Sequence, residues 1–222
     1  MKKLLLLLTG VVLISGNALA QELDQDNPIV QEFLSDEQVL RKIEKSVVSI
    51  VSYGFGIGTC SGVLVMEDEK NSYVLSAKHC IDSSTEEMKV EDNKVKSIFP
   101  AMNDDIVYLV VEGKIENKTP APLALYNSEI GDKVYHFAYP NWQPFSSIGQ
   151  IIKVNNDWQF IYMESHHGCS GGGVFNSKGE VIGILWGFKK SPSHDRRNPG
   201  QLTYSIIEPV EDIYKFLKEL KL

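Results

Sequence analysis

The stretch Gly168-Cys169-Ser170-Gly171-Gly172-Gly173-Val174 places one hydroxyl in the middle of a glycine-dense turn, directly before a short apolar strand. Glycine tolerates positive φ and lets the backbone approach a bound molecule closely, so neighbouring N–H groups can point at one spot. Acyl transfer requires that arrangement, because its tetrahedral intermediate carries a negative oxygen that N–H donors must stabilise. We therefore interpret Ser170 as a candidate nucleophile. The motif alone is weak, because glycine-rich turns that contain serine are common.

A serine nucleophile needs two further groups, because its hydroxyl is unreactive at its ordinary pKa. One group must act as base, and the other must orient that base and stabilise its charged form. Among five histidines, His79 directly follows an apolar strand in Ser76-Ala77-Lys78-His79-Cys80. Asp105 precedes the apolar run 106–110, and an unpaired charge at the mouth of a buried strand would be costly. The sequence therefore predicts that Asp105 has a partner.

These segments resemble the three motifs of trypsin-like serine proteases, in the order that this family shows. Ser-Ala-Lys-His-Cys is similar to the histidine motif, Asp105 with its apolar run to the aspartate motif, and Gly-Cys-Ser-Gly-Gly-Gly-Val to the nucleophile motif. Further similarity lies in Cys60-Ser61-Gly62-Val63-Leu64, in Gly183-Ile184-Leu185-Trp186-Gly187 and in Asn198-Pro199-Gly200. The resemblance extends from about Ser46 to the C-terminus.

The resemblance implies a role for each matching residue. Ser170 would attack the scissile carbonyl, His79 would act as general base and then acid, and Asp105 would orient His79. The N–H groups of Gly168 and Ser170 would form the oxyanion hole. Asp104 is then the solvated neighbour of the catalytic acid. No cofactor and no metal are implied.

Other positions are assigned by the same resemblance. Cys60 would form a disulfide with Cys80, and the backbone of Leu185, Trp186 and Gly187 would pair with the substrate. Cys169 stands where the digestive enzymes carry an aspartate that receives a newly cut N-terminus, so activation by that route is not expected. The spacings between the motifs are short, which favours a compact bacterial type without a PDZ domain.

Substrate preference remains open at the sequence level. Glu164, six residues before Ser170, would favour Arg or Lys before the cleaved bond if it forms the floor of the specificity pocket. Alternatively, His166 or His167 would recognise Glu or Gln, or all three are exposed loop residues. Cys169 is interpreted as a packing residue rather than as the nucleophile. Trp158 is interpreted as a packing or surface aromatic residue.

The periodicity predicts an all-β fold with helices only at its ends. Val39, Leu40 and Ile43 indicate a short helix that Ser35 caps, within a lead-in over residues 21–45. Short β-rich segments separated by turns follow, and an amphipathic helix begins near Val210. With the resemblance, the prediction is two six-stranded antiparallel β-barrels over residues 46–222, divided near 112–132, with the triad in the cleft between them.

The N-terminus predicts export. Two lysines, an apolar run and Ala18-Leu19-Ala20 form a secretory signal peptide over residues 1–20, with cleavage after Ala20. The apolar run is too short to span a bilayer, so stable membrane insertion is not expected. A net charge of −7 disfavours nucleic acid as a partner. A secreted or periplasmic protein that cleaves proteins or peptides is therefore the predicted function, with the oligomeric state open.

Two other function classes share part of this pattern. An α/β-hydrolase also carries Gly-x-Ser-x-Gly, but that fold needs a strand-to-helix turn and places its acid and histidine after the serine. Here glycines and a strand follow Ser170, so this class is disfavoured. The second is a pseudoprotease, a binding module that kept the barrels and lost turnover.

Overall fold

The computed structural model describes residues 34–81, 84–155, 158–192 and 201–222. Within these residues the chain forms two helices and twelve strands. The helices are α1 (Asp36–Glu44) and α2 (Val210–Glu219). The strands are β1 (Val47–Tyr53), β2 (Ile57–Glu67), β3 (Asn71–Ala77), β4 (Glu87–Val90), β5 (Asn93–Pro100), β6 (Ile106–Glu112), β7 (Lys133–Ala138), β8 (Phe145–Val154), β9 (Gln159–Tyr162), β10 (Gly173–Phe175), β11 (Val181–Pro192) and β12 (Gln201–Pro209).

The strands close into two antiparallel six-stranded barrels, which confirms the predicted fold. The first barrel runs in the order β1-β2-β3-β6-β5-β4, and the second in the order β10-β11-β12-β9-β8-β7. Each barrel encloses its own apolar core, built around residues such as Leu64 and Leu109 in the first and Ile161 and Ile182 in the second. Closure leaves neither sheet with a free edge along its length.

Strands β4 and β5 are the two that the sequence pattern did not predict. β5 shows almost no buried residues, and its sequence Asn93-Lys-Val-Lys-Ser-Ile-Phe-Pro lacks a clear apolar face. Both strands are held by backbone pairing, since β4 pairs with β1 and β5 pairs with β6. They are formed because the first barrel must close, a tertiary requirement that local periodicity does not report.

The predicted N-terminal helix is present and is capped as expected. The Ser35 hydroxyl accepts the N–H of Gln38, and the Gln38 side chain accepts the N–H of Ser35, which completes a capping box. Val39 and Ile43 are the buried residues of the helix. They belong to an apolar cluster that also contains Phe175 of the second barrel.

The apolar cluster that α1 contacts lies between the two barrels and fixes their relative position. It combines Leu75 and Ile106 from the first barrel with Phe137 and Ile184 from the second, together with Phe216 of α2. The segment 113–132 connects the barrels and pairs with both. The N–H of Ala121 donates to the Leu64 carbonyl, and the N–H of Ala124 donates to the Val181 carbonyl. The connecting segment thus links the two barrels by backbone hydrogen bonds to each of them.

Some predictions fall outside the described residues. These are the signal peptide at 1–20, the lead-in up to residue 33, and Asn198-Pro199-Gly200. Neither helix in the described part of the chain is long and apolar enough to cross a membrane.

Candidate active site

His79 and Asp105 are brought together by two neighbouring strands of the first barrel. β3 pairs with β6 so that Ala77 lies opposite Ile106, which places the residues after β3 beside those before β6. A short 3-10 turn, Lys78–Cys80, follows β3, and the Lys78 N–H donates to the Asp105 carbonyl over 3.0 Å. The pairing of two strands therefore positions both side chains.

The Asp105 carboxylate holds His79 at two points. Its Oδ2 lies 2.5 Å from His79 Nδ1, and its Oδ1 accepts the backbone N–H of His79 over 2.8 Å. A carboxylate can only accept, so the ring proton lies on Nδ1 and leaves Nε2 as the acceptor. The His79 side chain is 46% exposed and the Asp105 side chain only 14%, so the outward edge of the ring faces the cleft. This is the tautomer that a general base for a hydroxyl requires.

The nucleophile turn has the backbone that its glycines predict. Gly168 and Gly171 take φ angles of +91° and +81°. A Cβ on Gly171 would lie 2.1 Å from Ser76 Oγ, so only glycine fits there. Within the part of the chain that the structure describes, no protein acceptor engages the N–H groups of Gly168 and Ser170. These are the two donors predicted for an oxyanion hole.

Ser170 and His79 line the same cleft, although no hydrogen bond joins their side chains in the described structure. The Ser170 carbonyl lies 3.8 Å from Cys80 Sγ, next in sequence to His79. Catalytic hydrogen bonds are commonly long before substrate binds and shorten in the complex. The structure therefore places His79 and Ser170 in the lining of one cleft, with Asp105 in contact with His79.

Ser61 ties the nucleophile turn to the first barrel, a role that the sequence did not predict. Its hydroxyl donates to the Gly168 carbonyl over 2.9 Å and accepts the Tyr139 N–H over 2.9 Å. Its own N–H donates to the Ser170 carbonyl over 2.9 Å. Ser61 is fully buried, so these bonds are not exchanged with water. Because the carbonyls of Gly168 and Ser170 are both bonded to Ser61, the nucleophile turn is held against the first barrel.

We expect Ser61→Ala to lower kcat about tenfold while KM changes little, because a loosened turn loses about 1.4 kcal/mol of transition-state stabilisation. The change also leaves the Gly168 carbonyl and the Tyr139 N–H unpaired, which should cost about 2 kcal/mol of unfolding free energy. Steady-state kinetics and urea denaturation measure the two effects. Ser97→Ala, on the exposed face of β5, is the matched control. An unchanged kcat in a folded Ser61→Ala protein would contradict the positioning role.

The cleft is a cavity of about 1340 Å³ along the second barrel. His167, Trp186 and Gly187 line it, as the resemblance implied, whereas Leu185 does not. The Leu185 side chain is buried, and its N–H and carbonyl pair with Gly172 and Gly171. Its backbone thus supports the nucleophile turn. The full lining comprises His79, Pro140, Asn141, Gln143, Glu164, Ser165, His166, His167, Ser170, Trp186, Gly187 and Phe188.

Glu164 lies at the cleft but its side chain is exposed. It is 70% exposed and pairs with His166 over 3.3 Å, so the two charges compensate each other when His166 is protonated. The buried polar residue of the cleft is instead Ser165, only 4% exposed. Its hydroxyl lies 2.9 Å from that of Ser205. A neutral serine pair therefore lies deeper in the cleft wall than Glu164 does.

The cysteines divide as the resemblance implied. Cys60 and Cys80 form a disulfide, which links β2 to the turn that carries His79. Cys169 is a free and buried thiol, and burial raises its pKa to about 11. A protonated thiol outside the cleft lining is a poor nucleophile. Cys169 belongs to the core of the second barrel.

His136 supports the nucleophile turn from inside the second barrel. It is fully buried, and its Nδ1 lies 2.9 Å from the Gly173 carbonyl. Burial lowers its pKa to about 4, so the ring is neutral near pH 7 and donates from Nδ1 to that carbonyl. Among the described residues, no group of three or more His, Cys, Asp or Glu side chains is arranged to hold a metal ion.

The chain is similar to known proteins in sequence and in fold. A family profile described as "trypsin-like peptidase domain" matches residues 60–184. No curated protein matches the sequence. Among solved structures, the active form of the Rv3671c protease from Mycobacterium tuberculosis superposes with a TM-score of 0.63 at 19% identity, over 81% of this chain and 82% of that chain.

Two further structures show the same fold. An inactive form of Rv3671c that carries a serine-to-alanine mutation gives a TM-score of 0.66 at 16% identity, over 86% of this chain and 95% of that chain. A serine endoprotease from Yersinia pestis gives a TM-score of 0.66 at 22% identity, over 84% of this chain and 66% of that chain. At these identities the structural likeness establishes the fold alone.

Proposed function

Because the chain belongs to the trypsin-like peptidase family, we propose that it is a serine endopeptidase that uses Ser170, His79 and Asp105. The observation that carries the proposal is the two-point contact of the Asp105 carboxylate with His79. It fixes the tautomer in which Nε2 can take a proton. The N–H donors at Gly168 and Ser170, which have no acceptor among the described residues, supply the complementary electrostatic element.

The proposed mechanism follows from these positions. Ser170 Oγ attacks the scissile carbonyl while His79 Nε2 takes the hydroxyl proton, and Asp105 stabilises the resulting imidazolium. The N–H groups of Gly168 and Ser170 stabilise the oxyanion of the tetrahedral intermediate. His79 then protonates the leaving amine, which gives an acyl-enzyme on Ser170. Water, activated by His79, hydrolyses the acyl-enzyme and restores the serine.

We also propose that the protein acts outside the cytoplasm. The residues that support this are the signal-peptide-like segment 1–20 and the Cys60–Cys80 disulfide. Structural disulfides persist in oxidising compartments such as the periplasm or the extracellular space. Protein or peptide substrates follow from membership of the peptidase family.

A fluorophosphonate probe tests the proposed nucleophile directly, because it reacts only with an activated serine. We expect labelling of the purified protein at Ser170, mapped by mass spectrometry, and loss of labelling in His79→Ala. Fluorophosphonate labelling of other serines would show in the same peptide map and serves as the internal control. If the folded protein is not labelled, the trypsin-like fold serves as a binding module without turnover.

A further inference from the structure

A second cavity, of about 520 Å³, lies beside the candidate active site and shares a wall with it. Trp186 lines both cavities, and Asp105 lines the second one. The other residues that matter here are Asp104, Trp158 and Glu208. A peptide that binds in the cleft could therefore place one of its side chains in this second pocket.

Strand pairing in the second barrel assembles the walls of this pocket. β12 pairs with β9 so that Ile207 lies opposite Gln159, and their neighbours in sequence, Glu208 and Trp158, both line the pocket. β11 lies on the other side of β12. The indole rings of Trp158 and Trp186 meet with centroids 5.1 Å apart at an angle of 58°. Two half-buried indoles offer faces that attract a cation.

Glu208 provides a buried carboxylate at this pocket. It is only 2% exposed, and its Oε1 accepts the Asp105 N–H over 3.0 Å. Among the described residues, no donor engages its second oxygen. The second carboxylate oxygen of a buried residue that lines a cavity is open to a ligand, and an ammonium or guanidinium group would be a strong partner for it.

Lys78 also lines the pocket, and its charge partly offsets that of Asp104, but among the described residues it forms no ion pair with an acid there. Burial, followed by the nearby charge of Asp212, raises the pKa of Asp104, which is half-buried rather than solvated as predicted. Burial also raises the pKa of Glu208 to about 7. The Lys78 ammonium donates to the Ala101 carbonyl over 2.9 Å. Crowded carboxylates of this kind are stabilised when a cation joins them.

We propose that this pocket binds the cationic side chain of a Lys or Arg residue that flanks the scissile bond of the substrate. The indoles of Trp158 and Trp186 contact the charged group and its aliphatic stem, and the carboxylates of Asp104 and Glu208 accept its hydrogen bonds. The inference rests on the proposed function, because it assigns the substrate class of that same site.

Direct binding tests the pocket without relying on turnover. The probes are blocked alanine-based decapeptides in which a single Lys is moved along the chain, each with a norleucine partner of the same length. Binding to Ser170→Ala is followed by intrinsic tryptophan fluorescence. At one position we expect the Lys peptide to bind about tenfold more tightly than its norleucine partner, which corresponds to about 1.4 kcal/mol.

Variants then locate the preference. Asp104→Asn, built on Ser170→Ala, should reduce the Lys-to-norleucine affinity ratio to about one, and Trp158→Leu should reduce it as well. Glu116→Gln, which removes an exposed acid outside the pocket, should keep the full ratio. A Lys preference that persists in both pocket variants would place its origin elsewhere and overturn the assignment.

Hydrolysis by the unmodified protein separates this inference from the proposed function. If the protein cleaves Lys and norleucine peptides at equal rates and Ser170→Ala binds both equally, the pocket assignment is wrong while the peptidase activity stands. If Lys-dependent binding occurs without any hydrolysis, the pocket assignment holds and the proposed turnover is refuted.

Discussion

Ser170→Ala is expected to lower kcat/KM by about 10⁶-fold, because the acyl-enzyme cannot form without the hydroxyl. A small residual rate should remain, since the N–H donors of the turn are still present. Stability should change by less than about 0.5 kcal/mol, because the turn is held through backbone groups. The Ser170 carbonyl still accepts the Ser61 N–H, and the Gly171 N–H still donates to Leu185. A fluorogenic peptide assay and thermal unfolding measure the two quantities.

Ser146→Ala provides the matched control for this experiment. Ser146 is an exposed serine on β8, outside the lining of the cleft, so the same chemical change is made away from the site. We expect full activity from the control. Near-full activity in Ser170→Ala would show that another residue supplies the nucleophile and would refute the proposed triad.

The sequence singled out His79, Asp105 and Ser170 as a candidate triad through the family resemblance, and each stands next to a strand whose periodicity is clear. His79 follows β3, Asp105 precedes β6, and the glycines around Ser170 predict a turn with positive φ. The local sequence around each residue therefore predicts its candidate role. The β3–β6 register, which lies in tertiary structure, decides that His79 and Asp105 meet.

Glu208 illustrates what local patterns could not predict. In Ile206-Ile207-Glu208-Pro209 it is an acid at the end of an apolar strand. This position indicates that Glu208 is buried, but it does not indicate which group binds the carboxylate. That partner is the N–H of Asp105, over one hundred positions earlier in the chain and in the other barrel. Only the packing of one barrel against the other creates the contact.

Ser61 also forms contacts that join the two barrels. His79 and Asp105 belong to the first barrel and Ser170 to the second, so the proposed catalysis requires the two barrels to keep a fixed relative position. The Ser61 hydroxyl and N–H cross from β2 to the nucleophile turn and to Tyr139. The Asp105 N–H likewise crosses from the first barrel to the second, where it donates to Glu208. Buried hydrogen bonds thus align the two halves of the candidate site more closely than apolar packing alone would.

The second large effect is expected for Asp105→Asn, which should lower kcat about 10⁴-fold at neutral pH. The reason lies in the two contacts of the carboxylate. The His79 backbone N–H is a fixed donor to Oδ1, so the amide oxygen of asparagine must take that position. The amide NH₂ then faces His79 Nδ1, which has to become an acceptor. The ring proton moves to Nε2, and His79 can no longer take the proton of Ser170.

Two measurements distinguish this tautomer effect from simple damage to the fold. Nitrogen NMR of the imidazole should show the proton on Nδ1 in the parent protein and on Nε2 in Asp105→Asn, while circular dichroism remains unchanged. Asp92→Asn, in an exposed turn between β4 and β5, is the control for the loss of one carboxylate and should retain the parent kcat. If Asp105→Asn keeps kcat within about tenfold of the parent, Asp105 does not set the proton position on His79, and the acid of the triad must be sought elsewhere.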